Sequence, residues 1–387
     1  MKANRWIIGW VIIAFLLLSF VGFLTYHVDP FFHFHKPYIS DYYYVLNNER
    51  SQNDGIIKQF DYDALITGTS MTQNFRTSEL DKLFDCNSIK IPFSGGTYKE
   101  INDNIKKAIT TNPNIRLVVR GLDMNKFDSP SDKMRFDLGE YPSYLYDNNP
   151  LNDVKYLLNK DVFFARVYKM VVDKNKGEVA GITPFDEYSS WQNHYSFGIN
   201  TVCPDGVTVD KDVKMKHLTE KDKLKIKKNI DLNVTSIADL FPNVDFYYFY
   251  TPYSAAWWSD QYNSGTLIKQ LEAERYVTEL IVEHSNIRLF SINNRTDIIT
   301  DLNNYKDTTH YAAWINSLIL KWMHDGKYQI TKDNIDKYLR EEYDFYTTFD
   351  YSSLNKQEDY EDDYYAETLL NTELTNASPI SITGDDI

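Results

Sequence analysis

The sequence predicts an α/β fold, in which helices flank a parallel sheet, held at a membrane by one N-terminal helix. Short apolar runs alternate with segments of helical periodicity, and this alternation is typical of parallel sheets. Residues 7–24 form an apolar run, broken only by Gly and Ser, that is long enough to cross most of a bilayer core. The C-terminal end, by contrast, is acidic and low in complexity.

The composition limits what the chain can do. Its 387 residues, of which 43% are hydrophobic, can bury the core of one large domain. A formal net charge of -14 argues against nucleic acid and anionic lipid headgroups as partners, because both require basic patches. The two cysteines, Cys86 and Cys203, are too few for a disulfide scaffold, so they either pair with each other or remain as buried thiols.

The N-terminal region predicts an uncleaved membrane anchor. We expect residues 1–5 to form a cytoplasmic tail and residues 6–26 to cross the membrane, because Lys2 and Arg5 precede the apolar run and positive charges stay in the cytoplasm. The rest of the chain then lies outside. A cleaved signal peptide is the alternative, but the apolar run is long for one and no small-residue cleavage site follows it.

Residues 27–60 form an aromatic-rich juxtamembrane segment. We expect it to run over the membrane surface without regular structure, because prolines interrupt its start. His33 and His35 alternate with phenylalanine here, and two histidines can begin a metal site. Since no cysteine and no clear carboxylate partner lies nearby, packing at the interface is the favoured interpretation.

Residues 61–327 predict the α/β domain itself. Five apolar runs are predicted strands: residues 64–67, 88–93, 115–120, 245–250 and 287–292. Helical periodicity marks residues 78–84, 98–109, 220–240 and 267–284. In such sheets the active site lies at the carboxyl ends of the strands.

One connection, residues 124–243, is far longer than an ordinary loop. We expect this insertion to hold helices of its own and to cap the site. It is rich in side chains with rings, which can stack on sugars although most of them are expected to serve ordinary packing. They include Tyr141, Tyr144, Tyr146, Tyr188, Trp191, His194 and Tyr195.

Residues 328–387 are predicted to form a C-terminal helix and an acidic tail. From Asp350 onward the sequence becomes acid-rich and then rich in Thr, Ser and Asn. Such a stretch buries too little apolar surface to offset the entropy of ordering. We therefore expect disorder beyond about residue 365.

Two motifs at opposite ends of the α/β domain indicate serine-dependent catalysis. Gly68-Thr-Ser70 directly follows a predicted strand, and Asp307-Thr-Thr-His310 comes near the end of the domain. Serine is a weak nucleophile that needs an adjacent base, and the base needs a third group to orient it. We expect Asp307 and His310 to share a face on the first turn of a helix over residues 312–323. Alternatively, or in addition, Asp307 is the N-cap of that helix.

The chain resembles the SGNH/GDSL hydrolases, in the membrane-anchored branch of cell-surface carbohydrate acyl esterases and acyltransferases. The resemblance rests on residues 66–71 as the nucleophile block, 92–97 as the glycine block and 307–310 as the acid and base block. Thr72 stands where the nucleophile elbow of α/β-hydrolases has glycine, which also favours this family. The family implies a flavodoxin-like fold with a five-stranded parallel sheet.

The resemblance also assigns roles to the motif residues. It implies that Ser70 attacks an acyl carbonyl, that His310 takes the serine proton and that Asp307 holds the imidazole. Asn74, next to the nucleophile block, and Tyr253 and Ser254, after the fourth predicted strand, are candidates for contacting substrate. Turn and capping roles are the simpler explanation for all three.

The oxyanion hole is expected to use the backbone N–H groups of Ser70 and of Gly95 or Gly96, because glycine lets the backbone approach closely. The family's third donor is an asparagine in a G-x-N-D block after the third strand. This chain departs from that block and has Asp123 at the asparagine position, with Asn125 two residues further on. Either Asn125 reaches the hole or backbone groups alone hold the oxyanion.

Asp123 poses a problem of charge at this position. An ionised carboxylate cannot donate a hydrogen bond, and it repels an oxyanion. We therefore expect Asp123 to pair with Arg120 or to orient a neighbouring group.

The resemblance implies an extracytoplasmic esterase or acyltransferase that acts on cell-surface polysaccharide or a teichoic-acid-like polymer through an acyl-Ser70 intermediate. Neither a cofactor nor a metal is expected, and related branches imply a membrane-bound O-acyltransferase as partner. One alternative is a catalytically inactive glycan-binding or assembly protein, in which Ser70 and His310 need not meet. A metal-dependent hydrolase using His33, His35, Asp307 and His310 is a weaker alternative, because these residues do not form a compact ligand set in the sequence.

Overall fold

The computed structural model describes residues 2–138, 141–210 and 212–360. Within these ranges the chain forms two sheets surrounded by helices. The strands are β1 (Tyr43–Tyr44), β2 (Ala64–Thr67), β3 (Ser88–Lys90), β4 (Leu117–Leu122), β5 (Gly181–Ile182), β6 (Asp245–Tyr250), β7 (Ile287–Phe290) and β8 (Gln329–Ile330).

The larger sheet has six strands in the order β3-β2-β4-β6-β7-β8. The first five are parallel, and β8 pairs antiparallel with β7 at one edge. The prediction of a five-stranded, all-parallel sheet is therefore wrong, because a strand of two residues is too short to show a periodicity in sequence. Numbered along the chain, the five parallel strands lie in the order 2-1-3-4-5, which is the order of doubly wound flavodoxin-like sheets.

The five predicted strands are all present, with shifts at their ends. β2 and β6 match the predicted residues, β4 begins and ends later, and β3 and β7 end earlier. Every residue of β2 and β4 is buried, and β6 exposes only its first residue. Central strands of parallel sheets are covered on both faces, which explains why these runs are continuously apolar instead of alternating.

The helices account for the predicted helical segments and several others. They are α1 (Lys2–Val28), α2 (Glu49–Gln59), α3 (Thr77–Phe84), α4 (Tyr98–Thr111), α5 (Ser143–Tyr146), α6 (Val154–Leu157), α7 (Lys160–Val162), α8 (Tyr168–Asn175), α9 (Ile199–Val202), α10 (Glu220–Ile230), α11 (Ser236–Leu240), α12 (Ala255–Asn263), α13 (Leu267–Ile281), α14 (Thr296–Ile299), α15 (Ala313–His324) and α16 (Ile335–Thr348). π-helical turns join α7 to α8 and α10 to α11. α3 packs against α15, whereas α10 and α16 pack against α13.

α1 has the length and composition of the predicted anchor. Among the described residues it is the one helix long and apolar enough to cross a membrane, over Arg5–Val28. Side chains along it, such as those of Leu17, Phe20 and Phe23, are exposed on the protein surface. A continuous apolar surface of this kind is unfavourable in water and suits the interior of a bilayer.

The juxtamembrane segment, residues 27–60, is not irregular as predicted. It contains α2 and also β1, which pairs with β5 from the insertion. The buried Asp29 carboxylate accepts hydrogen bonds from the Phe34 N–H at 2.7 Å and from the Tyr156 hydroxyl at 2.9 Å. The prediction of irregular structure failed because residues distant in sequence satisfy the hydrogen bonds of polar groups in this segment, which can therefore be buried.

The insertion and the C-terminal region account for the rest of the chain. The insertion holds α5 to α11, as predicted for a connection of its length. After α16 the chain stays packed against the domain as far as the described residues extend, with Tyr351 and Leu354 buried. The predicted disorder beyond about residue 365 falls outside the described residues.

Cys86 and Cys203 are both free thiols, so they do not pair.

Candidate active site

Ser70 lies on a tight turn at the carboxyl end of β2, which we call the nucleophile turn (residues 68–72). Gly68 is required there, because its φ is 152° and a Cβ at this position would lie 2.5 Å from Thr72 Cγ2. Ser70 then begins a single 3₁₀ turn, at whose start the Thr69 hydroxyl accepts from the Met71 N–H at 3.4 Å. The turn leaves Ser70 partly exposed between β2 and β4, where the direction of the strand order reverses.

Three side chains form one continuous hydrogen-bonded chain. Ser70 Oγ lies 2.8 Å from His310 Nε2, although the two residues are 240 apart in sequence. On the other side of the ring, His310 Nδ1 lies 2.8 Å from Asp307 Oδ2 and 3.0 Å from Asp307 Oδ1. This is the geometry required of a nucleophile, its base and the group that orients the base. The structure therefore brings together all three predicted triad residues.

A short hairpin, which we call the triad hairpin (residues 305–311), carries Asp307 and His310. Tyr305 and Tyr311 pair as an isolated antiparallel bridge at its base. Across the hairpin, the Lys306 N–H donates to the His310 carbonyl at 3.0 Å. The acid and the base are thus held in a turn that is itself hydrogen-bonded.

The Asp307 carboxylate closes this turn by accepting from the backbone N–H groups of Thr309 and His310, at 2.9 and 2.8 Å. α15 begins only at Ala313 and has Ala312 as its cap. The predictions that Asp307 and His310 share the first turn of this helix, and that Asp307 caps it, are therefore wrong. The physical reason is that an aspartate bonded to nearby backbone N–H groups competes with helix formation.

The charge state of Asp307 suits the orienting role. Partial burial alone raises the pKa of this carboxyl, but the hydrogen bond and charge of His310, with the backbone N–H groups, outweigh it and hold the pKa below its ordinary value. Asp307 is therefore ionised at neutral pH. An ionised carboxylate at this position is suited to stabilise a positive charge on the His310 ring.

The lowered pKa of Asp307 predicts a difference in stability between the wild type and Asp307→Asn that depends on pH. A lowered pKa stabilises the fold above the ordinary value of 3.8 and ceases to do so as pH falls toward the folded-state pKa. We expect the wild type to have the higher midpoint of thermal unfolding near neutral pH, and the difference to shrink below about pH 4. Asp333→Asn, at an exposed position, is the control. A difference that stays constant with pH would contradict the ionised state of Asp307.

The backbone N–H groups of Ser70 and Gly95 are the candidate oxyanion donors. The glycine loop (residues 93–96) is held to the nucleophile turn by the Phe93 N–H, which donates to the Gly68 carbonyl at 2.8 Å. No acceptor for the N–H of Ser70 or Gly95 is found among the described residues. The Gly96 N–H instead donates to the Phe93 carbonyl at 2.7 Å, so it is not the free donor that was predicted.

Asn125 is not brought to the triad. It lies exposed on a 3₁₀ turn after β4. There it lines a separate cavity of about 220 Å³ that none of the triad residues borders. Its predicted role as an oxyanion donor has no support in this geometry.

The predicted pairing of Arg120 with Asp123 is not formed. Residues three apart on an extended strand point to opposite faces of the sheet. The buried Arg120 guanidinium lies between the rings of Tyr98 and Tyr248, with its carbon 5.4 and 5.6 Å from their centroids, and donates to the Asn233 carbonyl at 2.8 Å. Asp123 is left on the other face, which is the face of the nucleophile turn.

The insertion covers the nucleophile turn through Trp191. The indole N–H of Trp191 donates to the Ser70 carbonyl at 3.2 Å, and its ring meets the His310 ring at a centroid distance of 5.7 Å. The buried Asn74 side chain accepts from the Trp191 N–H at 3.0 Å and from the Ser190 hydroxyl at 3.2 Å. Asn74, predicted to contact substrate, therefore holds the insertion over the turn instead.

Other rings of the insertion divide between packing and the site. Tyr188 is buried, and its hydroxyl donates to the Asn53 side chain at 2.8 Å. Tyr195 is 52% exposed and, together with Trp191, flanks the Lys306 ammonium, which lies 3.7 and 4.1 Å from the two ring centroids. These cation–π contacts join the triad hairpin to the insertion.

Tyr253 and Ser254, also predicted to contact substrate, are buried. The Ser254 hydroxyl donates to the Thr308 carbonyl at 2.8 Å, and the Ser254 N–H donates to the same carbonyl at 3.1 Å. The Tyr253 ring packs against that of Trp257. Ser254 therefore supports the triad hairpin through Thr308, and neither buried residue presents a surface to a substrate.

A cavity of about 790 Å³ opens beside the nucleophile turn and the glycine loop, which we together call the catalytic loops. None of the three triad residues lines it, but three of its lining residues adjoin these loops: Gln73 follows the nucleophile turn, Ser94 lies in the glycine loop and Trp191 contacts Ser70. The juxtamembrane segment and the insertion supply the other walls, which include Asn47, Arg50, Tyr144, Asn159, Asp161 and Arg166. Rings combined with amide and charged groups suit a ligand rich in hydroxyl groups, and the volume is that of an ordinary ligand site.

Glu49, at the start of α2, joins the two catalytic loops. One of its carboxylate oxygens accepts from the Gln73 side-chain N–H, and the other accepts from the Ser94 backbone N–H. One buried carboxylate therefore sets the spacing between the nucleophile turn and the glycine loop. Sequence reasoning missed Glu49, because a glutamate in the first turn of a helix is ordinary and its partners lie 24 and 45 residues away.

Lys90, the last residue of β3, is a second positioning residue that the sequence analysis missed. Its buried ammonium donates to the carbonyls of Gln73, Phe75 and Asp186 at 2.6, 2.8 and 3.2 Å. The three carbonyls match the three N–H groups of an ammonium, so Lys90 ties the chain after the nucleophile turn to the insertion. A lysine within an apolar strand was the one signal available.

Replacing Glu49 with glutamine is expected to lower kcat for ester hydrolysis roughly 10- to 100-fold, because displacing catalytic groups by about 1 Å costs this much. Glutamine keeps the size of the side chain but replaces an acceptor oxygen with an amide, so the contact with Gln73 or with Ser94 is lost. Steady-state turnover of p-nitrophenyl acetate measures the effect. Glu220→Gln, at a side chain that is 85% exposed, is the matched control. An unchanged kcat in Glu49→Gln would exclude the spacing role.

His33 and His35 have protein partners and do not join the triad residues. His33 Nε2 lies 3.0 Å from Asp153 Oδ1, and the His35 ring contacts the carbonyls of Lys36 and Tyr26. The part of the chain that the structure describes holds no group of three or more His, Cys, Asp or Glu side chains that could bind a metal ion.

The site as a whole has the parts needed for nucleophilic acyl chemistry: a serine beside an imidazole, a carboxylate that orients the imidazole, and backbone N–H groups next to the serine. Comparisons with protein-family models, curated proteins and solved structures found no match to this chain. The functional argument therefore rests on the geometry of Ser70, His310 and Asp307.

Proposed function

We propose that this protein is a membrane-anchored serine esterase or acyltransferase that acts on cell-surface polysaccharide. The observation that carries the proposal is the unbroken chain from Ser70 Oγ to His310 and from His310 to Asp307, with 2.8 Å at each step. A glycan-binding protein without activity has no need of a serine within hydrogen-bond reach of an oriented imidazole. The geometry therefore favours catalysis over the inactive alternative.

In the proposed reaction, Ser70 Oγ forms a bond to the ester carbonyl carbon while His310 Nε2 takes the serine proton. The carbonyl electron pair moves onto oxygen, where the N–H groups of Ser70 and Gly95 stabilise it. When the intermediate collapses, the carbon–oxygen bond to the leaving alcohol breaks and His310 returns the proton to that alcohol. Water or a sugar hydroxyl then attacks acyl-Ser70 by the same steps, giving hydrolysis or transfer.

The proposal includes membership of the SGNH/GDSL superfamily. It is supported by the strand order 2-1-3-4-5 and by the position of Ser70 directly after β2, which is strand 1 in that numbering. The position of the triad hairpin after the last parallel strand also agrees with the order of the family's blocks.

A cell-surface location and a polysaccharide substrate are further parts of the proposal. Lys2 and Arg5 precede the apolar part of α1, which favours a cytoplasmic N-terminus and an external domain. The cavity beside the catalytic loops suits a chain of sugar units or a teichoic-acid-like polymer. A membrane-bound O-acyltransferase is the proposed source of the acyl group if the reaction is transfer.

The test of the proposed function is pre-steady-state hydrolysis of p-nitrophenyl acetate by the full-length protein in detergent micelles. We expect a burst of about one p-nitrophenol per protein, followed by slower turnover, because the acyl-enzyme forms before it is resolved. Acetylated and deacetylated oligosaccharides added to the same reaction separate hydrolysis from transfer. A folded protein that shows neither burst nor turnover with any of these esters would overturn the proposal.

A further inference from the structure

We propose that Asp123 is a third oxyanion donor and that it acts as a neutral carboxylic acid. This inference rests on the proposed acyl chemistry and adds to it a residue that limits the pH range of activity. It also accounts for a chain that has an aspartate where the SGNH pattern has an asparagine.

The sheet places Asp123 beside the nucleophile turn. β2 and β4 are parallel neighbours whose register pairs Thr67 with Arg120. Both residues follow the carboxyl ends of these neighbouring strands, since Ser70 comes three residues after Thr67 and Asp123 directly follows Leu122. Asp123 itself keeps an extended conformation, with φ −76° and ψ 113°. It therefore stands at the switch point of the sheet, where ligands of such folds bind.

The Asp123 side chain lies on the face of the sheet over which the nucleophile turn folds. A Cβ at Gly121 would lie 2.9 Å from Thr72 Cγ2, so the turn covers the face to which position 121 belongs. Positions 121 and 123 share a face, because side chains alternate along a strand. The hydroxyl of Thr69, next to Ser70, lowers the pKa of the Asp123 carboxyl, so the two side chains are near each other.

The surroundings of Asp123 favour its neutral form. The residue is 3% exposed, and burial raises the pKa of its carboxyl more than the charges of Lys126 and His310 and the hydroxyls of Thr69 and Thr251 lower it. The Lys126 ammonium lies 4.0 Å from Oδ2, which is too long for a hydrogen bond. Oδ1 is buried and has no hydrogen-bond partner among the described residues. An unpaired buried oxygen is more costly on a carboxylate than on a carboxylic acid.

The tyrosines around Asp123 carry no charge at neutral pH. Tyr98 faces it from α4, Tyr253 from the chain after β6 and Tyr311 from the triad hairpin, and burial raises the pKa of all three tyrosines. Arg120, the nearest guanidinium in sequence, occupies the opposite face and donates to the Asn233 carbonyl. The charges that act on the Asp123 carboxyl are thus those of Lys126, of Arg120 from the other face and, once it has taken a proton, of His310.

A neutral carboxyl group resolves the problem of charge that an aspartate poses here. As the Ser70 Oγ–carbon bond forms and the electron pair moves onto the carbonyl oxygen, the Asp123 O–H donates a hydrogen bond to that oxygen and keeps its proton. The proton that His310 removed from Ser70 leaves with the alcohol, so Asp123 ends the cycle unchanged. A carboxyl kept neutral by its site can serve in this way.

The test compares Asp123→Asn with Asp123→Ala, using p-nitrophenyl acetate and the full-length protein. Asparagine also donates a hydrogen bond, so we expect kcat within about threefold of the wild type at neutral pH; alanine donates none, and we expect kcat to fall about 10²- to 10³-fold with little change in KM. The pH profile adds a readout that a structural role would not change. Wild-type kcat should fall as rising pH ionises Asp123, whereas Asp123→Asn should lack that limb because an amide does not titrate.

Each outcome decides the inference. Equal losses in both variants would show that Asp123 acts as a carboxylate, and full activity of Asp123→Ala would show that it donates nothing; either result overturns the inference. Circular dichroism and thermal unfolding verify the fold of each variant, and Asp123→Leu replaces the alanine variant if that one does not fold. The proposed function fails separately, by an absence of turnover in the wild type.

Discussion

Replacing Ser70 with alanine is expected to reduce ester turnover by about 10⁴- to 10⁶-fold, because no covalent intermediate can form without the hydroxyl. The thermal unfolding midpoint should change little, since His310 is the one hydrogen-bond partner of the hydroxyl among the described residues and the side chain is partly exposed. Turnover of p-nitrophenyl acetate measures the first effect and thermal unfolding the second.

Ser317→Ala is the matched control for Ser70→Ala. Among the described residues the Ser317 hydroxyl also has one hydrogen-bond partner, the Ala313 carbonyl at 3.4 Å within α15, and it makes no hydrogen bond to a triad residue. We expect this variant to keep full activity. If Ser70→Ala instead retained more than a few per cent of wild-type turnover, Ser70 would not be the nucleophile.

Asp307→Asn is expected to lower kcat by about 10⁴-fold while leaving KM nearly unchanged. The amide matches the carboxylate in shape, so the backbone contacts to Thr309 and His310 can persist in part. What is lost is the anion that holds the correct tautomer of His310 and stabilises its positive charge. Steady-state kinetics over a range of ester concentrations separates kcat from KM. A kcat close to that of the wild type would reduce Asp307 to a residue that closes the triad hairpin.

The triad was predictable from sequence because local patterns mark its members. Ser70 follows a glycine at the end of an apolar run, and Asp307 and His310 share a short motif near the end of the domain. The central strands were predictable for a related reason, since a strand covered on both faces must be apolar throughout. The hairpin that carries the acid and base was not, because a D-x-x-H spacing fits a helical turn and a hydrogen-bonded loop equally well.

The residues that position the triad were not predictable, because their partners are distant in sequence. Glu49 acts on Ser94, 45 residues away, and Lys90 acts on Asp186, 96 residues away. The juxtamembrane segment shows the same limit. The buried carboxylate of Asp29 accepts a hydrogen bond from Tyr156, which is 127 residues away in sequence. A polar residue with a distant partner has the same local sequence pattern as a polar residue in solvent.

The oxyanion hole was predictable from sequence only in part. The glycine block marked the right loop, but the choice between Gly95 and Gly96 depends on one hydrogen bond, from the Gly96 N–H to Phe93, that no residue pattern specifies. For Asp123, the sequence supplied the position and the apparent conflict of charge. Only its burial and the unpaired Oδ1 suggest that the conflict is resolved by protonation.

The central claim, that Ser70 is the nucleophile of a working triad, is tested most directly by identifying the residue that a serine-directed fluorophosphonate modifies. The full-length protein is incubated with the reagent, digested and mapped by mass spectrometry. We predict a single adduct on Ser70, absent from Ser70→Ala and formed far more slowly in Asp307→Asn. An adduct on another serine, or no adduct on the folded wild-type protein, would contradict the claim.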